Sequence, residues 1–322
     1  MTERFVIGVH LDDDPIGAAA DGSGIAALVD LIRAAESAGI DYIGLDDALL
    51  GPGDGVPRAT AGETLAYLAR RTARIALVPG VAAHYVEPFH AAKQVATLDF
   101  VSEGRAGALV QRGRNATADR LVPAASDLDE TGLRVQAAEF THVLRQLWDS
   151  WEDDATVRDV ATGQYVDSSR VHEIAHEGDY FRVKGPLITP RPPQGQPPIF
   201  ARAESAASAR DLWSGSSETT APDVILVDEA DAEVLLAEYP AGTTARLIVV
   251  LSGEDAPGLA ARIAAWRATP GIAGAEIRTD TAGLHALLAG GVLPVREDGA
   301  GDATLAGRLG LPRRPSRFAS AR

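Results

Sequence analysis

The sequence predicts an α/β fold of the (β/α)8 or TIM-barrel class, and three observations lead to this prediction. Apolar runs of strand length occur eight times along the 322 residues, and each is followed by a segment with helical spacing of its apolar residues. The runs are almost continuously apolar, which is typical of parallel strands buried on both faces. The length suits a barrel that forms a single domain over residues 1–322. A doubly wound open sheet is the structural alternative.

The predicted elements alternate from the first strand to the last helix. The strands are predicted at residues 5–10, 42–45, 75–81, 106–110, 198–201, 224–227, 247–251 and 275–278. The helices are predicted at residues 24–38, 63–72, 88–100, 131–148, 205–213, 231–238, 257–266 and 281–289. A strand followed by a helix, eight times over, is the repeat from which a parallel barrel closes.

One segment, residues 147–198, breaks this regularity and indicates an insertion at about 150–197, before the fifth strand. It begins where a helix ends on Trp148 and Trp151, and it continues through an acidic turn and two extended runs, VHEIAH and YFRVKG. Prolines from Pro190 to Pro198 then stiffen the chain ahead of the fifth strand. Insertions on a regular scaffold typically carry substrate choice or subunit contact.

Charge and composition limit the possible partners. The formal net charge is −15 and is spread along the chain, which argues against binding to nucleic acid or to an anionic membrane. No basic segment followed by a long apolar run opens the sequence, and no stretch reaches about 18 continuous apolar residues. The absence of cysteine removes disulfides, thiolate metal sites and cysteine nucleophiles. We therefore expect a soluble, cytoplasmic protein.

Polar residues collect after the predicted strands, which is where barrels carry their catalytic groups. His10 is a candidate general base toward a substrate, although a lone histidine at a strand end is more often structural. Single aspartates in such loops are ordinary turn residues. The collected positions are His10 with Asp12 to Asp14, Asp46 with Asp47, Ala83 to Tyr85, Gln111 to Asn115, and Arg202 to Ser205.

A second pair of histidines, His172 and His176, has the spacing of metal ligands on a helix. The surrounding sequence VHEIAHEG is typical of an extended run instead, where the helical spacing of metal ligands does not apply. No metal site is predicted.

Longer stretches carry a family resemblance. They include YIGLDDALL after the second strand, EPFHAAKQVATLDFVSEGRAG before the fourth, and WDSWEDDA and EGDYFRVKGPL within the insertion. In this order they resemble the luciferase-like flavin-dependent monooxygenases, in particular the branch of nitrilotriacetate and dibenzothiophene-sulfone monooxygenases. The resemblance runs from end to end, and the insertion is its best-kept part. It implies that the insertion forms a wall over the barrel mouth.

The resemblance implies an oxidoreductase, namely an FMN-dependent monooxygenase. Such an enzyme takes reduced FMN from a separate flavin reductase, lets it react with O₂ and oxygenates a small organic substrate. The protein holds the flavin over the barrel mouth and excludes water. Family members pair through barrel helices, so a homodimer, or a heterodimer with a paralogue, is expected.

The resemblance also places the contacts to the flavin ring. Asp47 stands at the family's acidic position after the second strand, where a carboxylate accepts a hydrogen bond from the flavin. After the third strand the family has hydroxyl side chains, and here Ala83 has no donor while His84 can donate or carry a proton near neutral pH. Asp47 and Ala83 are therefore the expected cofactor positions, and His10 and His84 are the catalytic candidates.

Further residues differ from the family at the positions where the resemblance places the phosphate end of the flavin. Arg134, in the long helix after the fourth strand, can hold a phosphate through its guanidinium. After the fifth strand the family has small residues that let backbone N–H groups close around the phosphate. Here Ser205 matches, Ala203 replaces a glycine, and Glu204 places a carboxylate where it would repel a phosphate dianion.

These kept and altered positions leave two hypotheses open. In the first, the chain is a flavin-dependent monooxygenase with a remodelled flavin site, which the retained Asp47 and Ser205 support. In the second, it is a non-catalytic or flavin-weakened homologue that binds another small molecule or pairs with a catalytic paralogue. The changes at Ala83, Arg134, Ala203 and Glu204 support the second hypothesis.

Overall fold

The computed structural model contains a closed barrel of eight parallel strands. It describes residues 4–13, 23–50, 59–122, 128–214, 217–240, 243–254, 256–291, 293 and 303–319. The strands in chain order are β1 (Val6–Leu11), β2 (Tyr42–Leu45), β3 (Ala76–Ala82), β4 (Ala108–Gln111), β5 (Thr156–Asp159), β6 (Gln164–Val166), β7 (His176–Glu177), β8 (Arg182–Val183), β9 (Ile199–Arg202), β10 (Val224–Asp228), β11 (Arg246–Ser252) and β12 (Ile272–Thr279). The barrel order is β1-β2-β3-β4-β9-β10-β11-β12, and β12 pairs with β1. The predicted (β/α)8 barrel is confirmed, and the open-sheet alternative is wrong.

Helices follow the barrel strands as the spacing predicts. In chain order they are α1 (Ser23–Ser37), α2 (Ala61–Ala69), α3 (Pro88–Ser102), α4 (Ala116–Leu121), α5 (Glu130–Asp149), α6 (Ala206–Ser214), α7 (Glu229–Glu238), α8 (Ala256–Arg267), α9 (Thr281–Ala289) and α10 (Leu305–Arg308). Thr60, Asp129 and Asp280 begin α2, α5 and α9 as side-chain caps, which satisfy N–H groups that the first turn leaves free. The short helices α4 and α10 were not predicted. None of the described helices is long and apolar enough to cross a membrane.

The amino end of the barrel is closed by the C-terminal segment. Leu305 and Leu309 belong to the same buried cluster as the residues inside the barrel, such as Tyr42 and Phe200. The side chain of Arg308 donates to the backbone oxygen of Asp41, 3.1 Å away, just before β2. This end therefore forms a packed base.

The insertion lies along α5 and at the base, so the expectation that it walls the barrel mouth is wrong. It contains the β5–β6 and β7–β8 hairpins. The backbone N–H of Phe181 donates to Glu139 on α5 over 2.9 Å, and the buried Arg191 donates to Asp149 at the end of α5, also over 2.9 Å. The reason is topological. Helix α5 returns from the carboxyl ends of the strands to their amino ends, and the insertion follows it directly.

Candidate active site at the mouth of the barrel

The inward-facing positions near the carboxyl ends of the strands are polar, although the rest of the barrel interior is apolar. Side chains alternate along a barrel strand, so residues two positions beyond an interior apolar residue also face inward. Strand pairing places His10 of β1 beside Arg278 of β12 and Gly44 of β2. The polar residues at this level are His10, Asp46, Gln111, Arg202 and Arg278, and Glu276 lies one inward position deeper, beside Gly8.

His10, Asp46 and Gln111 form a connected group. His10 is 1% exposed, and its Nε2 lies 2.9 Å from Oδ1 of Asp46. Gln111 donates from Nε2 to the same oxygen over 2.6 Å, and its Oε1 accepts the backbone N–H of Asp47 over 2.9 Å. The contact between His10 and Asp46 has the distance of an ion pair, so Asp46 is the charged group that faces the His10 Nε2.

Two glycines make room for these side chains. A Cβ atom at Gly44 would lie 2.5 Å from the Nδ1 of His10, and one at Gly80 would lie 2.2 Å from the Oε1 of Gln111. Any larger residue at either position would displace the polar group from the mouth. The glycines on β2 and β3 are thus part of the site.

Asp46 is held in its charged form. Burial acts to raise its pKa, but the contact with His10 and the positive charges of Arg278 and Arg202 outweigh burial and lower the pKa to about 2. The carboxylate is therefore ionised throughout the neutral range, and it fixes the orientation of the imidazole.

Two guanidinium groups complete the mouth. Arg278 binds Asp12, and its Nη2 lies 3.5 Å from Oδ2 of Asp46. Arg202 donates from Nη2 to Glu276 over 2.8 Å, and the hydroxyl of Tyr42 donates to the other Glu276 oxygen over 3.0 Å. The Nη1 of Arg202 is buried and has no hydrogen-bond partner among the described residues. The mouth therefore offers donors that the described part of the chain leaves unused.

His10, Asp12 and Asp46 bring one possible ligand atom each within 4.8 Å of one another. Arg278 already lies against both carboxylates, so the protein itself supplies the positive charge at this point. The expectation of no metal site stays a prediction. Asp14, which the sequence also places after β1, lies outside the described residues.

Asp47 and Ala83 lie next to this group, on the outer side of the strand ends. The carboxylate of Asp47 accepts the backbone N–H of Leu49 over 2.8 Å, and burial raises the pKa of Asp47. Asp47 lines a cavity of about 270 Å³ that also touches β3 and α3. The N–H of Ala83 donates to the backbone oxygen of Gln111 over 3.2 Å. Both predicted positions therefore connect to the mouth through Gln111.

His84 packs against α5. Its ring is 7% exposed, and its Nδ1 lies 2.7 Å from Oε1 of Gln136. The ring also meets Tyr85 edge to face at 5.0 Å. The hydroxyl of Tyr85 donates to Asp119 of α4 over 2.8 Å, so this histidine belongs to a layer that links α4 and α5.

The predicted phosphate residues gather around the start of α6. Glu204 is exposed, and the hydroxyl of Ser205 accepts the N–H of Ser208 over 3.2 Å. Arg134 of α5 forms an ion pair with Asp211 of α6. Arg112, after β4, donates from Nη2 to the hydroxyl of Ser208 over 2.8 Å.

Two residues of the mouth, Glu276 and Arg278, were not among the positions collected from the sequence. Both are polar residues at inward positions of an otherwise apolar strand, so the period-two alternation of the strands was the available signal. Asp46, Gln111, Arg112 and Arg202 were collected after the strands but were given no role in the site.

Comparison with known proteins agrees with this fold. A family model described as luciferase-like monooxygenase matches residues 7–218. The chain belongs to this family. A luciferase-like relative of similar length is one of the subunits of pristinamycin IIA synthase from Streptomyces pristinaespiralis. It is 33% identical over 288 residues, which are 89% of this chain and 90% of the relative.

Other luciferase-like proteins are longer or more distant. The N-acetyl-S-(2-succino)cysteine monooxygenase of Bacillus subtilis (strain 168) is 38% identical over 195 residues, 59% of this chain, and the match spans only 44% of that relative's length. The structure of EDTA monooxygenase from Chelativorans sp. BNC1 superposes with a TM-score of 0.73 at 18% identity. That superposition covers 97% of this chain and 100% of the other, and it supports the fold.

Proposed function

We propose that this luciferase-like chain is a monooxygenase that uses reduced FMN, obtains it from a separate flavin reductase, and oxygenates a small organic substrate with O₂. The observation that carries the proposal is the polar mouth of the barrel, where the buried Nη1 of Arg202 has no hydrogen-bond partner among the described residues. Buried donors are normally satisfied, so unsatisfied ones at a barrel mouth favour a ligand.

The residues at the mouth fit a flavin. Arg202 and Arg278 can donate to its carbonyl oxygens or to the negative charge of its reduced form, and Asp47 can accept from a ring N–H. Reduced FMN, when bound, would supply the electrons that activate O₂.

The side chains of the mouth have separable tasks. Asp46 stays ionised and orients His10, which is then placed to hold or release a proton at Nε2. Burial raises the pKa of Tyr42 well above its ordinary value, so its hydroxyl stays protonated and continues to donate to Glu276. That hydrogen bond holds Glu276, the ion-pair partner of Arg202, in position. The apolar interior beneath them excludes water.

The proposal is tested by anaerobic titration of the chain with reduced FMN, and then with oxidised FMN, while flavin fluorescence is measured. Saturable binding of reduced FMN is expected, together with substrate-dependent oxygen uptake when a flavin reductase is added. Absence of binding at about 1 mM flavin, a binding free energy weaker than about −4 kcal/mol, would contradict the proposal.

A second function is favoured by a separate observation. The relative that matches this chain over nine tenths of both lengths is named as a subunit of a synthase, and the predicted flavin positions are altered at Ala83, Ala203 and Glu204. In this alternative the chain pairs with a catalytic paralogue. Both proposals expect a cytoplasmic dimer. Turnover by the chain alone would exclude the second proposal. Light scattering of the chain alone and mixed with the paralogue measures whether it pairs with itself or with the paralogue.

A further inference from the structure

The β5–β6 hairpin of the insertion carries its apolar side chains in solvent. Every residue from 157 to 165 is exposed, and Val157, Val160 and Tyr165 are 42%, 95% and 62% exposed. With Ile188, the insertion contributes four of the nine large apolar side chains that are exposed in the described part of the chain. Apolar side chains gathered on one surface element indicate an interaction surface.

One face of the hairpin is turned toward the rest of the chain and the other is turned outward. Thr156 pairs with Val166, and both are half-buried. Because neighbouring side chains of a strand alternate between its two faces, Val157 and Tyr165 lie on the opposite, outward face. The guanidinium of Arg158 lies 5.9 Å from the centre of the Tyr165 ring, a distance at which a cation attracts an aromatic face. The outward face is therefore apolar.

The tip of the hairpin is ordered by its own hydrogen bonds. The carboxylate of Asp159 accepts the backbone N–H of Ala161 over 2.8 Å and the hydroxyl of Thr162 over 2.7 Å. These bonds hold Val160 at the tip of the turn. A hairpin of two strands gains little stability by itself in water, and this one pairs with no further strand among the described residues. A surface that is already ordered loses less entropy when a partner binds.

The charges of the hairpin favour a second copy of this chain as the partner. The chain has a formal net charge of −15, so most of its surface repels a second copy. Residues 156–166 carry one cation, Arg158, and one anion, Asp159, and have no net charge. In a twofold contact the same patch lies on both sides, so two hairpins that cross antiparallel bring Arg158 of each near Asp159 of the other. The hairpin is therefore complementary to itself.

The same antiparallel crossing brings the tip of each hairpin to the foot of the other. At the foot, Trp151 donates from Nε1 to the backbone oxygen of Leu187 over 2.7 Å, which places the exposed Ile188 beside the turn that leads into β5. A standard interface uses about 20–30 residues a side, more than the exposed residues of the hairpin alone. The apolar foot at Ile188 extends the contact in the direction in which the tip of the other hairpin lies.

We propose that the outward face of the β5–β6 hairpin packs against the same face of a second copy of this chain across a twofold axis. Val157 and Tyr165 form the centre of the contact, and Val160 of each hairpin reaches Ile188 at the foot of the other. The contact is independent of flavin binding at the mouth. It is also separate from pairing through barrel helices, so it gives a dimer, or a tetramer where the helices pair as well.

The test measures the mass of the full chain by sedimentation velocity over a range of concentrations. The double variant Val157→Asp, Tyr165→Asp is expected to halve the mass of the assembly by weakening association about 100-fold or more, because each copy would bury two carboxylates without partners. Val234→Asp is the matched control. Val234 is 52% exposed on α7, outside the insertion, so this change should leave the mass as in the wild type. Circular dichroism checks that the variants fold.

Cross-linking gives a second readout, because the chain has no cysteine of its own. Tyr165→Cys is expected to join two copies through a short bis-maleimide, and Val234→Cys is expected to stay unlinked. The inference is overturned if the wild type is a monomer or joins only a paralogue, or if the double variant keeps the wild-type mass. It is also overturned if Val234→Cys cross-links as readily as Tyr165→Cys. None of these measurements involves flavin, so the proposed function stands or fails separately.

Discussion

The two ends of the barrel use the same kinds of charged residue in opposite ways. At the base, Arg191 and Asp149 are 1% and 5% exposed and bind each other. At the mouth, the side chains of Arg202 and Arg278 are 21% and 28% exposed, and Asp46 is 37% exposed. Solvent, and so a ligand, can reach these charges of the mouth but not the pair of Arg191 and Asp149 at the base. The base is built for stability and the mouth for chemistry, as is usual in this fold.

The largest expected effect is at the base. Arg191→Met should lower the free energy of unfolding by about 3 kcal/mol or more, because it leaves Asp149 buried without its positive partner. Urea unfolding followed by circular dichroism measures the loss. Arg313→Met is the matched control. Arg191 and Arg313 both pair with Asp153, but the side chain of Arg313 is 50% exposed, so its loss should lower the free energy of unfolding by less than about 1 kcal/mol. Equal losses in the two variants would mean that burial does not determine how much these ion pairs contribute to the free energy of unfolding.

A smaller effect distinguishes two neighbouring aspartates, Asp46 and Asp47, by the pH dependence of their contributions to stability. The pKa of Asp46 is lowered to about 2, below an unfolded value of about 3.9, so its contribution to stability is present above pH about 4 and is lost as pH falls toward 2. The pKa of Asp47 is raised by burial, so its contribution is present at low pH and is lost as pH rises through its folded pKa.

The expected result is a pair of opposite slopes. Relative to the wild type, Asp46→Asn should become less stable as pH rises from 2 to 4, by about 1 kcal/mol or less after solvent screening. Asp47→Asn should instead gain relative stability as pH rises through the acidic range. Unfolding free energies at several acidic pH values measure both, and slopes of the same sign would show that the two side chains share one environment.

The sequence was sufficient for the barrel because its strands are buried on both faces and therefore read as continuous apolar runs. The hairpin β5–β6 was not predicted as strands. Its residues are mostly exposed, with Val160 at 95% and Tyr165 at 62%, so no buried face imposes a pattern on the sequence. The position of the insertion was predicted wrongly because the family resemblance preserves its residues but not the end of the barrel on which they lie.

The site was predictable only in part. That polar residues would meet at the strand ends follows from the topology, and His10 was identified in this way. The partners were not, because the contacts from Asp46 to His10 and Gln111 depend on the pairing register of four strands, β1 to β4. The choice of Asp47 over Asp46 shows the limit, since a shift of one residue along a strand exchanges the inward and outward faces.

The smallest expected effect concerns Glu204, the one acidic residue at the start of α6 that the resemblance places against a phosphate. It is exposed, so screening by solvent limits its repulsion, and Glu204→Gln should tighten FMN binding only about threefold at low salt. Riboflavin has no phosphate, and its affinity should not change. The ratio of the two affinities, measured at low and high salt, therefore isolates the charge from any change in the flavin ring site. A gain shared equally by both flavins would show that Glu204 acts on the ring site at the mouth and not on the phosphate.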